Sequence, residues 1–457
     1  MGGGLARLDL LRNEHRFFLL PEAGGNFLVW LEREWEEIRF SPNPHVLTLY
    51  FESDEHEVPF GTSVKARQFF PTPITLIPPT WDEEFRFEVK GTRHEVERMK
   101  TAPKFLRLAE AVSEARSLLK IPALRPYLAV GYERRHFVPR DGSPIRFTVD
   151  REIRYWFLGP GVGGVAPLGD ERILRLEAKV PVGEEEHPGW VDLRRSLGTY
   201  GALPINSKRN EGFARIGQYL ADRFGLGVTR DLVGYEIEAK LLVHHDDPLA
   251  LFRQIKEWTK RETLPILLPD HFPFTIDAET VNQYWAEESD VGLVDGLKVL
   301  FRGEQFNSVL KTKSEVLDPE IGIVKRREVK AKSVAYSPQA YREMVTSWSE
   351  RARSPRFLGH LIRWRRAIWP EEVNSRRVYH ISLDRCAAAG RQMPLWQIEI
   401  EYIGSIRGGA APTRDLERTV VGELQHLVGC LLVCANQGGR VVLEPTTLTK
   451  FQWFAGL

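Results

Sequence analysis

The sequence predicts an α+β chain made of two tandem antiparallel β-barrel domains with packed helices. Three observations predict it. Segments that alternate apolar and polar residues recur from one end of the chain to the other, and a period of two marks a strand with one buried face. Stretches of helical periodicity lie between them. A weak internal repeat divides the chain into 1–227 and 228–457: Ser207-Lys208 precedes the helical stretch that closes the first unit, and Thr449-Lys450-Phe451 stands near the end of the second.

The alternating segments are 46–52 (VLTLYFE), 85–90 (FRFEVK), 145–151 (IRFTVDR), 173–179 (ILRLEAK), 235–242 (YEIEAKLL), 379–385 (YHISLDR) and 396–402 (WQIEIEY). Helices are expected at 103–120, 212–224, 249–261, 339–352 and 415–434. Two turn-rich stretches, 71–84 (PTPITLIPPTWDEE) and 158–171 (LGPGVGGVAPLGDE), read as loops. The second is rich in glycine, but no Lys-Ser/Thr pair follows it, so it is not a phosphate-binding loop of the Walker type. A boundary is placed at 225–232 (GLGVTRDL), where one helical stretch ends and a new strand opens.

Composition narrows the class. The chain has 457 residues, 42% hydrophobic and 27% charged, the profile of a folded globular protein. Its 63 Lys and Arg against 62 Asp and Glu leave almost no net charge, so DNA wrapping is not expected and any anion site must come from local charge sorting. Three cysteines, Cys386, Cys430 and Cys434, make no disulfide framework and no CxxC pair. The opening MGGGLARLDLLRNEH lacks the apolar core of a signal peptide, and no uninterrupted apolar run is long enough for a transmembrane helix. A cytoplasmic location is the expectation.

The charges within the strands carry the chemistry. Residues i and i+2 of a strand share a face. Glu236, Glu238 and Lys240 therefore point the same way, as do Glu399 with Glu401, Lys311 with Lys313, Glu88 with Lys90, Glu177 with Lys179, Lys65 with Arg67, and Arg146 with Thr148 and Asp150. A solvated face of a half-buried sheet alternates in the same manner. Paired acids, however, repel on an open face and become useful when they hold a divalent cation such as Mg²⁺ or Mn²⁺. Strands with only Lys and Arg are then free to neutralise phosphates. Closing such a sheet into a barrel gathers these side chains in one lumen, which a polyanion with bound metal would fill.

At these residues the sequence resembles the triphosphate tunnel superfamily. Over about 8–224 the first half looks like a VTC polyphosphate-polymerase domain. Arg12-Asn-Glu14-His-Arg16-Phe17 is similar to that family's Glu-Arg-Lys first strand, with Arg16 in the Lys position. Leu49-Tyr50-Phe51-Glu52-Ser53, Lys65-Ala-Arg67, Phe85-Arg-Phe-Glu88-Val-Lys90, Gly131-Tyr132-Glu-Arg134-Arg135, Ile145-Arg146-Phe-Thr148-Val-Asp150, Leu176-Glu177-Ala-Lys179 and Ser207-Lys208 follow in family order. The second half resembles a CYTH domain through Glu236-Ile-Glu238-Ala-Lys240, Lys311-Thr-Lys313, Arg326-Arg327, the Asp384 strand and Glu399-Ile-Glu401. There are departures: Phe69 and Arg209 replace an Arg and an aromatic residue, Thr449 replaces Ser before Lys450, and Lys298 and Arg302 are too far apart for an Arg-x-Arg pair.

The resemblance implies roles. Lys65, Arg67, Lys90, Arg134, Arg146, Lys179 and Lys208 would be the catalytic cations, with Arg16, Lys100, Lys240, Lys311, Lys313, Arg326 and Lys450 as further substrate ligands. Glu177, joined by Glu14 or Glu88, would bind Mn²⁺ or Mg²⁺ in the first unit, and Glu236, Glu238, Glu399 and Glu401 in the second. The implied reaction moves the terminal phosphoryl group of ATP onto a growing polyphosphate chain. Hydrolysis of a nucleotide, thiamine or inorganic triphosphate is the second expectation, and binding of polyphosphate without catalysis the third.

Other signals have plainer readings. His244-His245-Asp246-Asp247 sits before Pro248 as a polar turn, and Cys430 and Cys434 lie one helical turn apart as core residues. The segment 351–369 (RARSPRFLGHLIRWRRAIW) reads as a solvated helix face over the second barrel, or as a docking surface for exiting polyphosphate, a nucleic acid, a membrane protein or a second copy.

Overall fold

In the computed structural model the described residues are 12–456 apart from 40, 55, 60, 78–82, 94–96, 160–163, 225–227, 230–231, 233, 260–265, 268–275, 290–291, 303–304, 312–314, 332–333, 350–354, 373–375, 390, 407–414 and 437–440. Contacts group the chain into two units, Met1–Ile216 and Gly217–Leu457.

The first unit opens with β1 (Arg12–Leu19), α1 (Pro21–Glu34), β2 (Trp35–Ile38), β3 (His45–Glu52) and β4 (Ser63–Phe70). It continues through β5 (Phe85–Arg93), β6 (Glu97–Lys100), β7 (Lys104–Leu106), α2 (Leu108–Leu119) and the long pair β8 (Arg125–Pro139) and β9 (Arg146–Phe157). Then come β10 (Ala166–Glu171), β11 (Leu174–Pro181), α3 (Pro188–Thr199), β12 (Leu203–Pro204) and α4 (Lys208–Phe224), inside which the division falls. The strands form one antiparallel sheet in the order β12-β1-β11-β9-β8-β3-β4-β5-β6.

Alternation does what the sequence leads one to expect. Val64, Ala66, Phe85 and Phe87 turn outward and pack under α2 with Leu47, Leu49, Ala111 and Ala115. Leu174, Leu176, Phe147 and Val149 pack under α1 and α3 with Phe27, Leu31, Trp190 and Leu193. Burying these side chains is the main stabilising term, about 1.5–3 kcal/mol for each large one. The residues between them, the charged ones, face the other way. Helix α1 is not among the expected helices: Gly24 and Gly25 speak against a helix there, although Phe27 and Leu31 keep its spacing. Yet a Cβ on Gly24 would meet Leu174 at 2.8 Å, so the missing side chain lets α1 lie close on β11.

The second unit begins with β13 (Val228–Thr229), β14 (Tyr235–Val243), α5 (Pro248–Thr259) and β15 (Ile266–Leu267). It runs on through β16 (Ile276–Ser289), β17 (Gly292–Arg302), β18 (Gln305–Lys311), β19 (Glu315–Asp318), β20 (Ile323–Lys330), β21 (Val334–Ala335) and α6 (Pro338–Ser349). It ends with β22 (Pro355–Ile368), β23 (Glu371–Glu372), β24 (Arg377–Ala388), β25 (Leu395–Ile406), α7 (Leu416–Ala435), β26 (Leu443–Pro445) and α8 (Lys450–Ala455). Here the order β25-β14-β20-β18-β17-β16-β22-β24 closes on itself through β24–β25, giving an eight-stranded antiparallel barrel. The expected tandem therefore holds in part. The second unit is a closed barrel, while the pairing path of the first ends at β12 and β6 with no closing pair among the described residues.

Three further expectations change. The segment 351–369 is strand β22 rather than a helix from residue 355 on, because its long extended run fits between β16 and β24. The loop expected at 158–171 contains strand β10, which pairs with β9. Cys430 and Cys434 are half-exposed on α7, whose buried stripe is Leu416, Val420, Leu424, Leu427, Val428 and Leu431. By length and composition α7 also meets the requirements of a membrane-crossing helix, at 20 residues and mean hydropathy 1.3.

Candidate functional site

The inward face of the first unit collects charge from six strands and from the start of α4. On β4 and β5, Lys65 lies 2.8 Å from the Glu88 carboxylate, and Arg67 donates to the same oxygen at 3.2 Å. On β8 and β9, Arg134 donates twice to Asp150, and Lys208 from α4 reaches the same carboxylate. On β11, Lys179 stands 3.5 Å from Glu177, and on β1 Arg16 holds Glu14 at 2.7 Å. The register places Arg16 beside Glu177 and Glu14 beside Lys179. Arg146 sits opposite Lys179 across β9 and β11.

Electrostatics tie these strands together. Burial pushes Lys90 down to about 8, and Glu14, Lys179, Arg67 and Glu177 all act on it. Lys90 is on β5 and Glu14 on β1, near opposite ends of the pairing path, so the sheet curls its charged face inward. Burial, with Arg67 and Lys90 beside it, holds Lys65 well below the usual lysine range. Burial works against ionisation of Glu177, but Lys179, Arg16, Arg134 and Lys208 outweigh it and keep the carboxyl well below the usual range. Tyr132 is sandwiched in the same face. Its hydroxyl is 3.0 Å from Thr48 Oγ1, while the Lys208 ammonium and the Arg134 guanidinium lie 4.5 and 5.0 Å from its ring centre.

The second barrel carries a comparable lumen. Glu236 accepts from Lys311 at 2.9 Å and from Arg326 at 2.5 Å, and Arg326 also reaches Glu238. Lys240, 0% exposed, pairs with Glu238 and, at 3.4 Å, with Glu399. Arg365 holds Asp384 at 2.6 Å and Glu399 at 2.7 Å, and Lys450 reaches the same two acids. Glu238 faces Glu401 directly across β14 and β25. Burial and the charges of Glu236 and Glu238 raise the Glu401 carboxyl to about 7.

Several expected roles meet this geometry differently. Lys65, Arg67 and Lys311, expected free for phosphate, each hold a carboxylate, because a buried cation needs a nearby counter-charge. Glu88 is correspondingly a partner of two cations and 0% exposed. The backbone of Lys100 lies opposite Lys90 on β5–β6; its side chain, and all of Lys313, fall outside the described residues. His244-His245-Asp246-Asp247 is a turn, in which the Asp247 carboxylate accepts from the Ala250 amide and caps α5.

Sequence reasoning missed Asp150 and Asp384 as the buried hubs of the two lumens. It also missed the Arg363-Trp-Arg365 stretch of β22, an Arg-x-Arg pair hidden in the segment read as helical. Another group, His45, Glu133 and Glu152, brings ligand atoms within 4.8 Å of one another on β3, β8 and β9. Glu133 is already engaged there by two bonds from Arg151, each 2.9 Å. Among the described residues none of the seven carboxylates expected to bind metal forms a three-ligand group of that kind. Their chemistry still suits Mg²⁺ or Mn²⁺: hard oxygen donors, several with buried, close carboxylate neighbours. The rise of Glu401 comes first from its burial and then from the negative charge of Glu236 and Glu238 beside it.

No family model matches the chain. No curated protein matches it either. Among solved structures, it has 14% identity and a TM-score of 0.29 with the PH1819 protein from Pyrococcus horikoshii OT3, over 48% of this chain and 98% of that one. With CghA bound to Sch210972 it has 6% identity and a TM-score of 0.10, over 79% of this chain and 88% of that one.

Proposed function

We propose that this protein is a metal-dependent phosphotransferase acting on triphosphate or polyphosphate, with the first unit as an ATP-dependent polyphosphate polymerase. The observation that carries the reading is the convergence of Lys65, Arg67, Lys90, Arg134, Lys179 and Lys208 on one inward face beside Glu14 and Glu177. In this reading that face is a tunnel like the lumen of the second unit, and the protein works in the cytoplasm, where ATP is abundant.

Phosphoryl transfer needs positioning and charge neutralisation more than covalent help. Arg67 and Arg134 offer forked donors suited to phosphate oxygens, and Lys65, Lys90, Lys179 and Lys208 supply point charges. Asp150 keeps Arg134 and Lys208 aimed before the substrate arrives, so little reorganisation is needed during transfer. Glu177 and Glu14 would hold Mn²⁺ or Mg²⁺, which when bound draws negative charge from the phosphate oxygens. Tyr132 lines the face between the two cations and orients its hydroxyl through Thr48.

The test is incubation of the purified protein with ATP and Mn²⁺ or Mg²⁺, followed by gel analysis for long-chain polyphosphate and an assay for free phosphate. Chain growth that disappears in Glu177→Ala supports the polymerase. Free phosphate alone identifies a hydrolase. Full metal-dependent turnover in Glu177→Ala removes the first unit from the reaction.

A further inference from the structure

The lumen of the second barrel has a second region whose cations are not paired by its acids, although Glu236 and Glu328 act on Lys298, and Asp384 on Arg363, from farther off. On the inward row of β16, Asn282 lies between Leu300 of β17 and Leu361 of β22. One step along the barrel in each direction stand two cations. Lys298 is opposite Tyr284, and Arg363 is opposite Thr280, so both are diagonal neighbours of Asn282 within reach of long side chains. Neither cation has an ion-pair partner among the described residues, and the Arg363 Nε is buried without an acceptor. The nearby Glu236 is taken by Lys311 and Arg326, and Glu328 by Lys311 and Lys330. Burial and the charges of Lys311 and Arg363 outweigh Glu328 and Glu236 and hold Lys298 well below the usual lysine range.

Asn282 is the second observation. It is 0% exposed, and neither its amide nitrogen nor its amide oxygen has a hydrogen-bond partner. A buried amide with both ends unmet is costly and calls for a missing partner that both accepts and donates. Its closed position means that the flexible side chains around it must part to admit one.

We infer that Lys298, Arg363 and Asn282 form a metal-independent seat in the second barrel for a compact phosphate-type anion with a protonated oxygen. Lys298 and Arg363 neutralise the anion, the Asn282 amide nitrogen donates to it, and the Asn282 carbonyl oxygen accepts from its P–OH. The last contact gives a selectivity: sulfate has the same shape but no proton to offer at neutral pH, so it leaves the Asn282 oxygen unmet. The seat goes beyond the reading of the first unit and stands without it.

The test uses the full-length chain carrying Arg67→Ala and Lys90→Ala, which disables the first unit's face, with EDTA present. Calorimetric titration is run with inorganic phosphate, tripolyphosphate and sulfate. Binding of phosphate without metal is expected, weakened about tenfold or more by Lys298→Met or by Arg363→Gln. Tripolyphosphate bound more tightly than phosphate makes the natural ligand a chain end; equal or weaker binding makes it the free ion, and either outcome supports the seat. Sulfate is expected to bind more weakly than phosphate, and Asn282→Leu to erase that preference. Because it removes an unmet buried amide, Asn282→Leu is also expected to raise the Tm of the anion-free protein, which separates loss of binding from loss of fold. Phosphate binding that requires Mn²⁺ or Mg²⁺, or that is unchanged in both Lys298→Met and Arg363→Gln, overturns the inference. None of these readings depends on whether the first unit makes polyphosphate.

Discussion

Arg134 grips Asp150 through two parallel hydrogen bonds, Nε to Oδ1 at 2.6 Å and Nη2 to Oδ2 at 2.7 Å. The pair is buried and shared with Lys208, so the carboxylate neutralises two cations that would otherwise be stranded in the sheet. Asp150→Asn removes that charge while keeping the shape. The expected cost is about 3–5 kcal/mol of stability, because breaking one side of a buried ion pair leaves the other uncompensated. Chemical denaturation of the wild type and the variant measures it. Burial opposes ionisation of Asp150, but Arg134 and Lys208 prevail and depress its folded pKa. Its contribution is thus present at neutral pH and lost as pH falls below the ordinary aspartate range, so the gap between the two proteins should close in acid.

Lys90 gives the first unit a pH limit. With its ammonium pushed down to about 8 by burial, it loses charge just above neutrality. Affinity for tripolyphosphate should therefore fall as pH rises from 7 to 9, beyond any change in the ligand's own ionisation. Lys90→Arg should flatten the fall, because guanidinium stays charged over that range. Titrations at three pH values decide it.

Glu401 predicts the opposite kind of dependence in the second barrel. Its folded pKa, about 7, is above the ordinary value, so the folded state keeps a proton that the unfolded chain releases. Its contribution to stability is full below the ordinary glutamate pKa and declines as pH rises towards and through 7. Glu401→Gln should remove that decline, seen as a flatter plot of Tm against pH. Mn²⁺ should raise the Tm of the wild type more at pH 8 than at pH 5, where the carboxyl keeps its proton.

Gly322 fixes the strand that carries Lys240. Its φ is +70°, and a Cβ there would lie 2.7 Å from the carbonyl oxygens of both Lys240 and Thr446. Its own carbonyl accepts from the Lys240 amide at 3.2 Å. Gly322→Ala combines left-handed strain with a backbone clash and should cost about 1–3 kcal/mol or more. Hydrogen exchange should show the loss first in β14 and β26.

The alternating faces were legible because the strand period follows from backbone geometry alone. Lys65 with Arg67 and Glu177 with Lys179 face inward together, as their spacing requires. What spacing cannot supply is register. Asp150 becomes a hub because β8 places Arg134 opposite it and α4 brings Lys208, and Glu401 is raised by its burial and by the Glu236 and Glu238 that β14 sets beside it. Arg363 and Arg365 were hidden for another reason. Leu358, Leu361, Ile362 and Trp364 fit helical and extended periods alike, and only the neighbours β16 and β24 resolve the ambiguity. Helix α1 was illegible because its close approach to β11 demands glycine, a residue that speaks against helix in isolation.

The ring of the second unit also has a consequence in time. Its first long strand, β14, is hydrogen-bonded to β25, and the Lys240–Glu399 contact spans 159 residues. On a ribosome one flank of that strand can pair with β20 once half the unit has emerged, but the flank meant for β25 stays open until nearly the whole unit is made. Such non-local closure slows folding and exposes strand edges to neighbouring chains in the interval. Loss of the last strands would leave an unclosed sheet rather than a smaller barrel, which makes synthesis of this unit an all-or-nothing event.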